Sequence, residues 1–283
     1  METGLLFMTK QIVQEIKINK SLHNINSRNL SIQFSLDGFS FCIYSQEQKV
    51  TDFVSYTFEK KVDNPMELLQ EIERIFVAEK LLQQDFESVL VIHQNELSSF
   101  VPADYFDENK LADYLKYNIK VLQTDFIAFD TIDKISAKNV YIPYVNINNY
   151  LFQNFGAFEY KHHLTILIDK LMRENSTEKK CYVNVCKSTF DVILIENDNL
   201  LFSNTFTYQT EQDFIYYLLF VAEQLKLDLE TILVILIGEI DSKSDLYKIA
   251  FTYIRNIDFI SNNSSFFDDE KQLLQHQNYT LIN

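Results

Sequence analysis

The strongest constraint on this chain is a stretch that it contains twice. Residues 76–92 read FVAEKLLQQDFESVLVI, and residues 220–235 read FVAEQLKLDLETILVI. Phe76-Val77-Ala78-Glu79 returns as Phe220-Val221-Ala222-Glu223. After a one-residue deletion, Asp85-Phe86-Glu87-Ser88 and the run Val89-Leu90-Val91-Ile92 return as Asp228-Leu229-Glu230-Thr231 and Ile232-Leu233-Val234-Ile235. A helical end, an acidic turn and a β-branched run recurring in one order mark a repeated unit. Copies half a chain apart specify a duplicated domain, not a short-period solenoid.

Each copy closes a longer pattern. In the first half Leu30, Ile32, Phe34 and Leu36 alternate with polar residues, Asp37-Gly38 intervenes, and Phe39, Phe41 and Ile43 alternate again. This predicts a hairpin with a type I′ turn on Asp37-Gly38, a turn that needs positive φ at both central positions. A third strand follows at residues 50–58, then a helix opened by Asn64-Pro65 with apolar face Leu68, Ile72, Ile75 and Phe76, then a strand at 89–92. The second half repeats the order. Cys181, Val183 and Val185 alternate, 190–195 form a denser strand, Asn197-Asp198-Asn199 turn into 200–206, and Thr210 caps a helix with Asp213 at the capping-box position. That helix carries Phe214, Ile215, Tyr216, Leu218, Leu219 and Val221, apolar nearly all round, so deep burial is expected. The strand at 232–237 completes it. Phe39 aligns with Phe190 and Glu79 with Glu223, offsets of 151 and 144, so the first half has the longer hairpin-to-helix connection.

Further elements surround this frame. A helix near 108–117, capped by Asp107, strands near 126–130 and 140–142, a helix near 147–154, a strand at 159–163 and a helix at 165–173 extend the first half. A helix near 245–253 and a strand near 257–260 extend the second. The expected organisation is an N-terminal extension over 1–29 with a strand near 12–18, a first subdomain over 30–174, a second over 175–260, and an acidic tail over 261–283 that returns as a strand at 279–282.

Composition narrows the function. A net charge of −15 repels phosphate backbones and anionic lipid, so neither direct nucleic-acid binding nor membrane-surface binding is expected, while a basic protein partner fits. No stretch approaches the ~20 apolar residues of a membrane span, and residues 1–10 are too short an apolar run for a signal peptide, so a cytoplasmic protein is expected. Cys42, Cys181 and Cys186 lie in apolar strand-like runs without zinc spacing and read as reduced buried thiols. The chain has only 4 glycines, where average usage of about 7% predicts roughly 20, and phosphate-cradling loops depend on glycine.

The duplicated β-β-β-α-β-α order resembles the superfamily of actin, the heat-shock ATPases and the sugar kinases, an α/β fold with ribonuclease H-like halves facing an interlobe cleft. Val183-Asn184-Val185, Phe190-Asp191-Val192, Asn204-Thr205-Phe206, Asp213-Phe214-Ile215-Tyr216-Tyr217 and Ile237-Gly238-Glu239 carry the resemblance. The chain resembles the pilus- and secretion-assembly actin-like ATPases, and more closely an uncharacterised bacterial family of degenerate actin-like proteins. The resemblance implies a nucleotide between the halves, held by Asp-x-Gly corners after the first strand of each half and by a later Gly-Gly pair. Here those positions read Gln33-Phe34-Ser35, Asn184-Val185-Cys186 and Gly238-Glu239. Asn for Asp forfeits the charge that metal binding and base catalysis need.

The expectation is therefore a non-catalytic protein-interaction or scaffold module, a pseudo-ATPase with no cofactor and a protein partner. The alternative is a residual nucleotide-binding protein or phosphotransferase, with ATP and Mg²⁺ in a remnant cleft lined by Asp37, Gly38, Lys187, Ser188, Thr189 and Gly238, and Asp37 as its base. The ordinary reading of Asp37-Gly38 is a plain hairpin turn, and of Lys187-Ser188-Thr189 a polar turn. His162-His163, adjacent on a strand, would face opposite sides and could not share a metal. His93 reads as a satisfied core histidine. Asp268-Asp269-Glu270 read as a solvated run, and Phe266-Phe267 as an anchor for the tail.

Overall fold

The computed structural model describes residues 12–19, 28–47, 49–173, 178–261 and 276–282. Phe266-Phe267 and Asp268-Asp269-Glu270 lie outside the described residues.

The first half opens with β1 (Ile12–Asn19), β2 (Arg28–Ser35), β3 (Gly38–Ser45) and β4 (Val50–Phe58), then α1 (Pro65–Ala78) and β5 (Ser88–His93). The β2–β3 turn is not the type I′ turn that its sequence suggests. Leu36-Asp37 are the two turn residues, closed by the Ser35–Gly38 pair, and neither they nor Gly38 takes a positive φ. Gly38 is required for a different reason: a Cβ there would stand 2.5 Å from the Tyr56 carbonyl oxygen on β4. The type I′ geometry belongs to the second half, where Asn197 (φ 49°) and Asp198 (φ 62°) form a two-residue loop.

An inserted unit follows: β6 (Ser98–Pro102), α2 (Leu111–Leu115), β7 (Ala128–Ile132) and β8 (Ala137–Tyr141). The three strands form their own sheet in the order β6-β8-β7. Then come α3 (Val145–Phe155), β9 (Glu159–His162) and α4 (His163–Arg173). The second half runs β10 (Lys180–Val185), β11 (Thr189–Glu196), β12 (Asn199–Thr207), α5 (Glu211–Gln224), β13 (Leu233–Gly238), α6 (Asp245–Tyr253) and β14 (Asn256–Phe259).

The two large sheets share one strand order, β4-β3-β2-β5-β9 and β12-β11-β10-β13-β14, with β1 added at the outer edge of the first. In each, an antiparallel meander feeds a helix, and the strand after it pairs in parallel with the first strand of the meander. The caps form as the sequence predicts. Asn64 Oδ1 accepts from the Met66 and Glu67 amides at 3.0 Å each, and Thr210 and Asp213 make a reciprocal capping box.

Each sheet buries one face under its own helices. Leu68, Ile72 and Phe76 of α1 and Ile147 and Leu151 of α3 pack on the first sheet, and Phe214, Leu218 and Val221 of α5 with Ala250 of α6 pack on the second. α5 is not buried all round: Tyr216 is 62% and Phe220 45% exposed, because only one side of this outer helix meets the sheet. The enclosed helix is α4. Its Ile166 joins Phe53 and Ile92 of the first sheet, while Leu164, Leu167 and Leu171 join Tyr182, Ile193 and Ile237 of the second. A helix between two sheets is apolar on both flanks, and α4 reaches solvent only towards its C-terminal end, at Asp169, Lys170 and Arg173.

Two further expectations are corrected. The strand expected to include His163 stops at His162, because Asp130 on β7 accepts from the His162 amide at 2.9 Å and from the Thr165 hydroxyl at 2.7 Å, and His162 Nδ1 accepts from the Leu164 amide. Residues 279–282 are turns and not a returning strand; the Leu281 and Ile282 amides bond back to the Asn278 carbonyl.

Candidate functional site

A cavity of about 340 Å³ opens between the halves. The ends of β2 and β10, the β2–β3 turn, β4, the end of β13 and residues 277–280 wall it. These strands bring their C-terminal ends together because the two sheets repeat one strand order about the central helix, the place where open α/β sheets hold ligands.

Asp37, Gly38 and Gly238 line this cavity, and Lys187, Ser188 and Thr189 do not. The Ser188 hydroxyl instead donates to Asp37 Oδ2 at 2.5 Å, joining the two hairpin turns across the mouth of the cleft. The Lys187 ammonium donates to the backbone carbonyls of Phe58 and of Glu59 at the end of β4. Thr189 borders a separate void of about 10 Å³ with Asp37, His163 and Thr205. The two corners thus bind each other.

Gly238 is held by geometry. Its φ is +87°, and a Cβ would sit 2.1 Å from the Val185 carbonyl oxygen and 2.9 Å from Asn184 Oδ1. The register places Val185 beside Gly238 and Phe34 beside His93, so His93 holds the first-half position that Gly238 holds in the second. His93 is fully buried; Nε2 meets Asn148 Oδ1 at 2.9 Å, Nδ1 accepts from the Tyr144 amide, and burial pushes it down to about 4.

Three groupings escape motif reading. Gln33 Nε2 donates to Gln94 Oε1 at 2.7 Å, and Gln94 Nε2 donates to Cys186 Sγ, a chain that crosses from the first half to the second. Glu239 follows Gly238 into the cleft. Its side chain reaches solvent, yet burial between the halves and the nearby Asp37 push its carboxyl up to about 7, with Lys187 acting in the opposite direction. Behind the cavity, Asp191 on β11 accepts from His163 Nε2 (3.0 Å), Asn184 Nδ2 (2.8 Å) and Thr205 Oγ1 (2.6 Å). Burial raises the Asp191 carboxyl, but the imidazole and these hydrogen bonds outweigh it and hold the group below its ordinary value. The signal for this cluster was a lone Asp inside the apolar run 189–196, since a charge in a buried strand demands partners.

Among the described residues no group of three or more His, Cys, Asp or Glu could hold a metal ion. A second groove, of about 360 Å³, lies between β6 and β12, which are edge strands among the described residues, over Leu164 and Ile135. The Tyr208 amide bonds to the Ser188 carbonyl, so by alternation Phe206 and Asn204 bond inward to β11, and the backbone N–H and C=O of Ser203 and Thr205 face outward. The same alternation turns those of Ser98 and Phe100 outward on β6.

Residues 17–257 match the family described as Protein of unknown function (DUF3822). The chain belongs to that family. No curated protein matches the sequence. A solved Bacteroides thetaiotaomicron VPI-5482 protein with actin-like ATPase fold and unknown function is 24% identical, with a TM-score of 0.72 over 89% of this chain and 96% of that one. A chain of the PilM-PilN type IV pilus biogenesis complex is 11% identical, with a TM-score of 0.58 over 90% of this chain and 96% of that one. The fold of this family member is therefore that of the actin-like ATPases, in two lobes. Among the described residues no helix is long and apolar enough to cross a membrane.

Proposed function

We propose that this chain is a non-catalytic protein-interaction module on an actin-like ATPase fold, working in the cytoplasm without a nucleotide. One observation carries the reading: the corners that would cradle phosphates are occupied by each other. Asp37 is bonded to Ser188, and the Lys187 ammonium is engaged by two backbone carbonyls. Phosphate cradles need convergent N–H donors and positive charge, whereas the described residues that line this cavity include Asp37, Glu239 and Asp241 and no Lys or Arg. A polyphosphate there would meet three carboxyl groups.

The interaction half of the reading rests on the groove between β6 and β12. The outward N–H and C=O groups on both edges, unpaired among the described residues, suit an extended segment of a partner protein, which would pair with the two sheets at once.

Titration calorimetry of the full chain with ATP, ADP and GTP, each with and without Mg²⁺, tests the first half. No heat is expected, and no thermal shift in parallel, where a ligand at ~100 times its Kd would add ~2.7 kcal/mol. Saturable heat that vanishes in Asp37→Ala would restore the nucleotide reading with Asp37 at its centre.

A further inference from the structure

Residues 276–282 touch both halves of the molecule and, among the described residues, pair with no strand of either sheet. At one end His276 Nε2 donates to the Ile240 carbonyl, just beyond β13, at 2.8 Å, and its ring centre lies 5.1 Å from that of Phe259 on β14. Tyr279 then packs with Tyr182, Ile237 and Ile260 of the second half and with Leu167 of α4. At the other end Leu281 and Ile282 are buried with Cys42, Phe53 and Ile92 of the first sheet and Ile166 of α4. Between these anchors Gln277, Asn278 and Thr280 wall the interlobe cavity.

The attachment is narrow. The Leu281 and Ile282 amides bond back to the Asn278 carbonyl, so the turn closes on itself and not on a neighbouring strand. From α4, the Lys170 ammonium donates to the carbonyls of Tyr279 (2.7 Å), Thr280 (3.1 Å) and Ile282, three acceptors of one turn gathered by a single cation. A strand inside a sheet is held by a ladder along its whole length. A segment anchored by a few side chains can leave while both sheets stay folded.

We propose that residues 276–282 are a releasable strap that holds the two halves closed over the interlobe cavity. One end is fixed to the second sheet and the other to the first, so release of either end frees the halves to part about α4. Two other contacts cross the cleft, Ser188 to Asp37 and Gln94 to Cys186, and each is a single hydrogen bond. The strap buries the Tyr279, Leu281 and Ile282 side chains, and that much apolar area outweighs a lone polar contact. The strap acts whether or not a nucleotide fits the cavity, so the calorimetric outcome above leaves it untouched.

The three cysteines of the chain report the motion. Cys42 packs with Leu281 and Ile282, Cys186 lines the cavity and accepts from Gln94 of the other half, and Cys181 lies beneath α5 in a cluster that contains no strap residue. Burial pushes the Cys42 and Cys181 thiols up to about 12 and raises Cys186 well above its ordinary value, so each reacts slowly while enclosed.

The full chain, Leu281→Ser and Lys170→Met are labelled with iodoacetamide at pH 8, and each cysteine is followed by mass spectrometry. Leu218→Ala, a truncation beneath α5, serves as comparison. In Leu281→Ser, and to a smaller degree in Lys170→Met, Cys42 and Cys186 should react roughly tenfold faster or more while Cys181 keeps its parent rate. Leu218→Ala should not favour Cys42 and Cys186 over Cys181. If Leu281→Ser shows no melting transition, Lys170→Met decides alone. Equal acceleration of all three cysteines in a folded strap variant would make the segment an inseparable part of the core. Acceleration of Cys42 without Cys186 would mean that it covers its slot without holding the halves, and unchanged rates at both would mean that it holds nothing. Each of these results overturns the proposal.

Discussion

Asp37 and Ser188 stand 151 residues apart and are joined at 2.5 Å, and 151 is also the offset that superimposes the first hairpin on the second. The hydrogen bond therefore links two equivalent positions of the duplication, one from each half. The repeat meets itself at the mouth of the cleft. In an open cleft both corners would face a ligand; here each is the ligand of the other.

Removing the hydroxyl should unlatch the halves. Ser188→Ala leaves the Asp37 carboxylate buried without a partner, and the expected loss is about 1–3 kcal/mol by urea unfolding. Asp37→Asn should cost less, because its amide oxygen still accepts from Ser188 and the like charge facing Glu239 is gone. Equal costs would mean that the bond contributes little.

Gly238 should tolerate no side chain. Gly238→Ala combines a φ of +87° with a Cβ placed 2.1 Å from the Val185 carbonyl oxygen, and about 3 kcal/mol or more of stability should be lost. Gly156, at φ +72° with nothing within 4 Å of an added Cβ, carries the backbone strain alone, and Gly156→Ala should cost less. Denaturant midpoints of the two variants compare them directly.

Glu239 makes stability depend on pH with a definite sign. Its carboxyl is raised from 4.5 to about 7 in the folded chain, so the folded state holds the proton more tightly than the unfolded state does. This contribution is fully present below pH 4.5 and is lost as the pH rises through about 7. Glu239→Gln should therefore be more stable than the parent at pH 8, by about 1 kcal/mol once solvent access to the side chain is discounted, and the gap should close by pH 4.5. Melting curves across that range decide it.

The outer edge of β12, free among the described residues, predicts an alternation. Asn204 bonds its amide inward to Val192, whereas the Ser203 amide faces the groove. Asn204→Pro should cost roughly 3 kcal/mol or more, and Ser203→Pro about 1 kcal/mol or less. A partner that pairs with this edge would lose affinity in Ser203→Pro while the fold persists.

What the sequence by itself determined is the set of units and their order. Hydrophobic alternation, the Asn64 and Thr210 caps and the twice-written stretch are short-range signals, readable because strand period, helix caps and turn chemistry depend on residues a few positions apart. Even there tertiary contact moved details: Gly38 serves the close approach of β4 rather than a turn, and α5, apolar on paper, is an outer helix while α4 takes the centre. Only the tertiary structure decided what the cleft contains. That Ser188 meets Asp37, that Lys187 faces carbonyls, and that Glu239 ionises near neutrality depend on side chains from distant parts of the chain brought within a few ångströms. Local pattern carries no record of such distances, because they arise from how two folded halves close on each other.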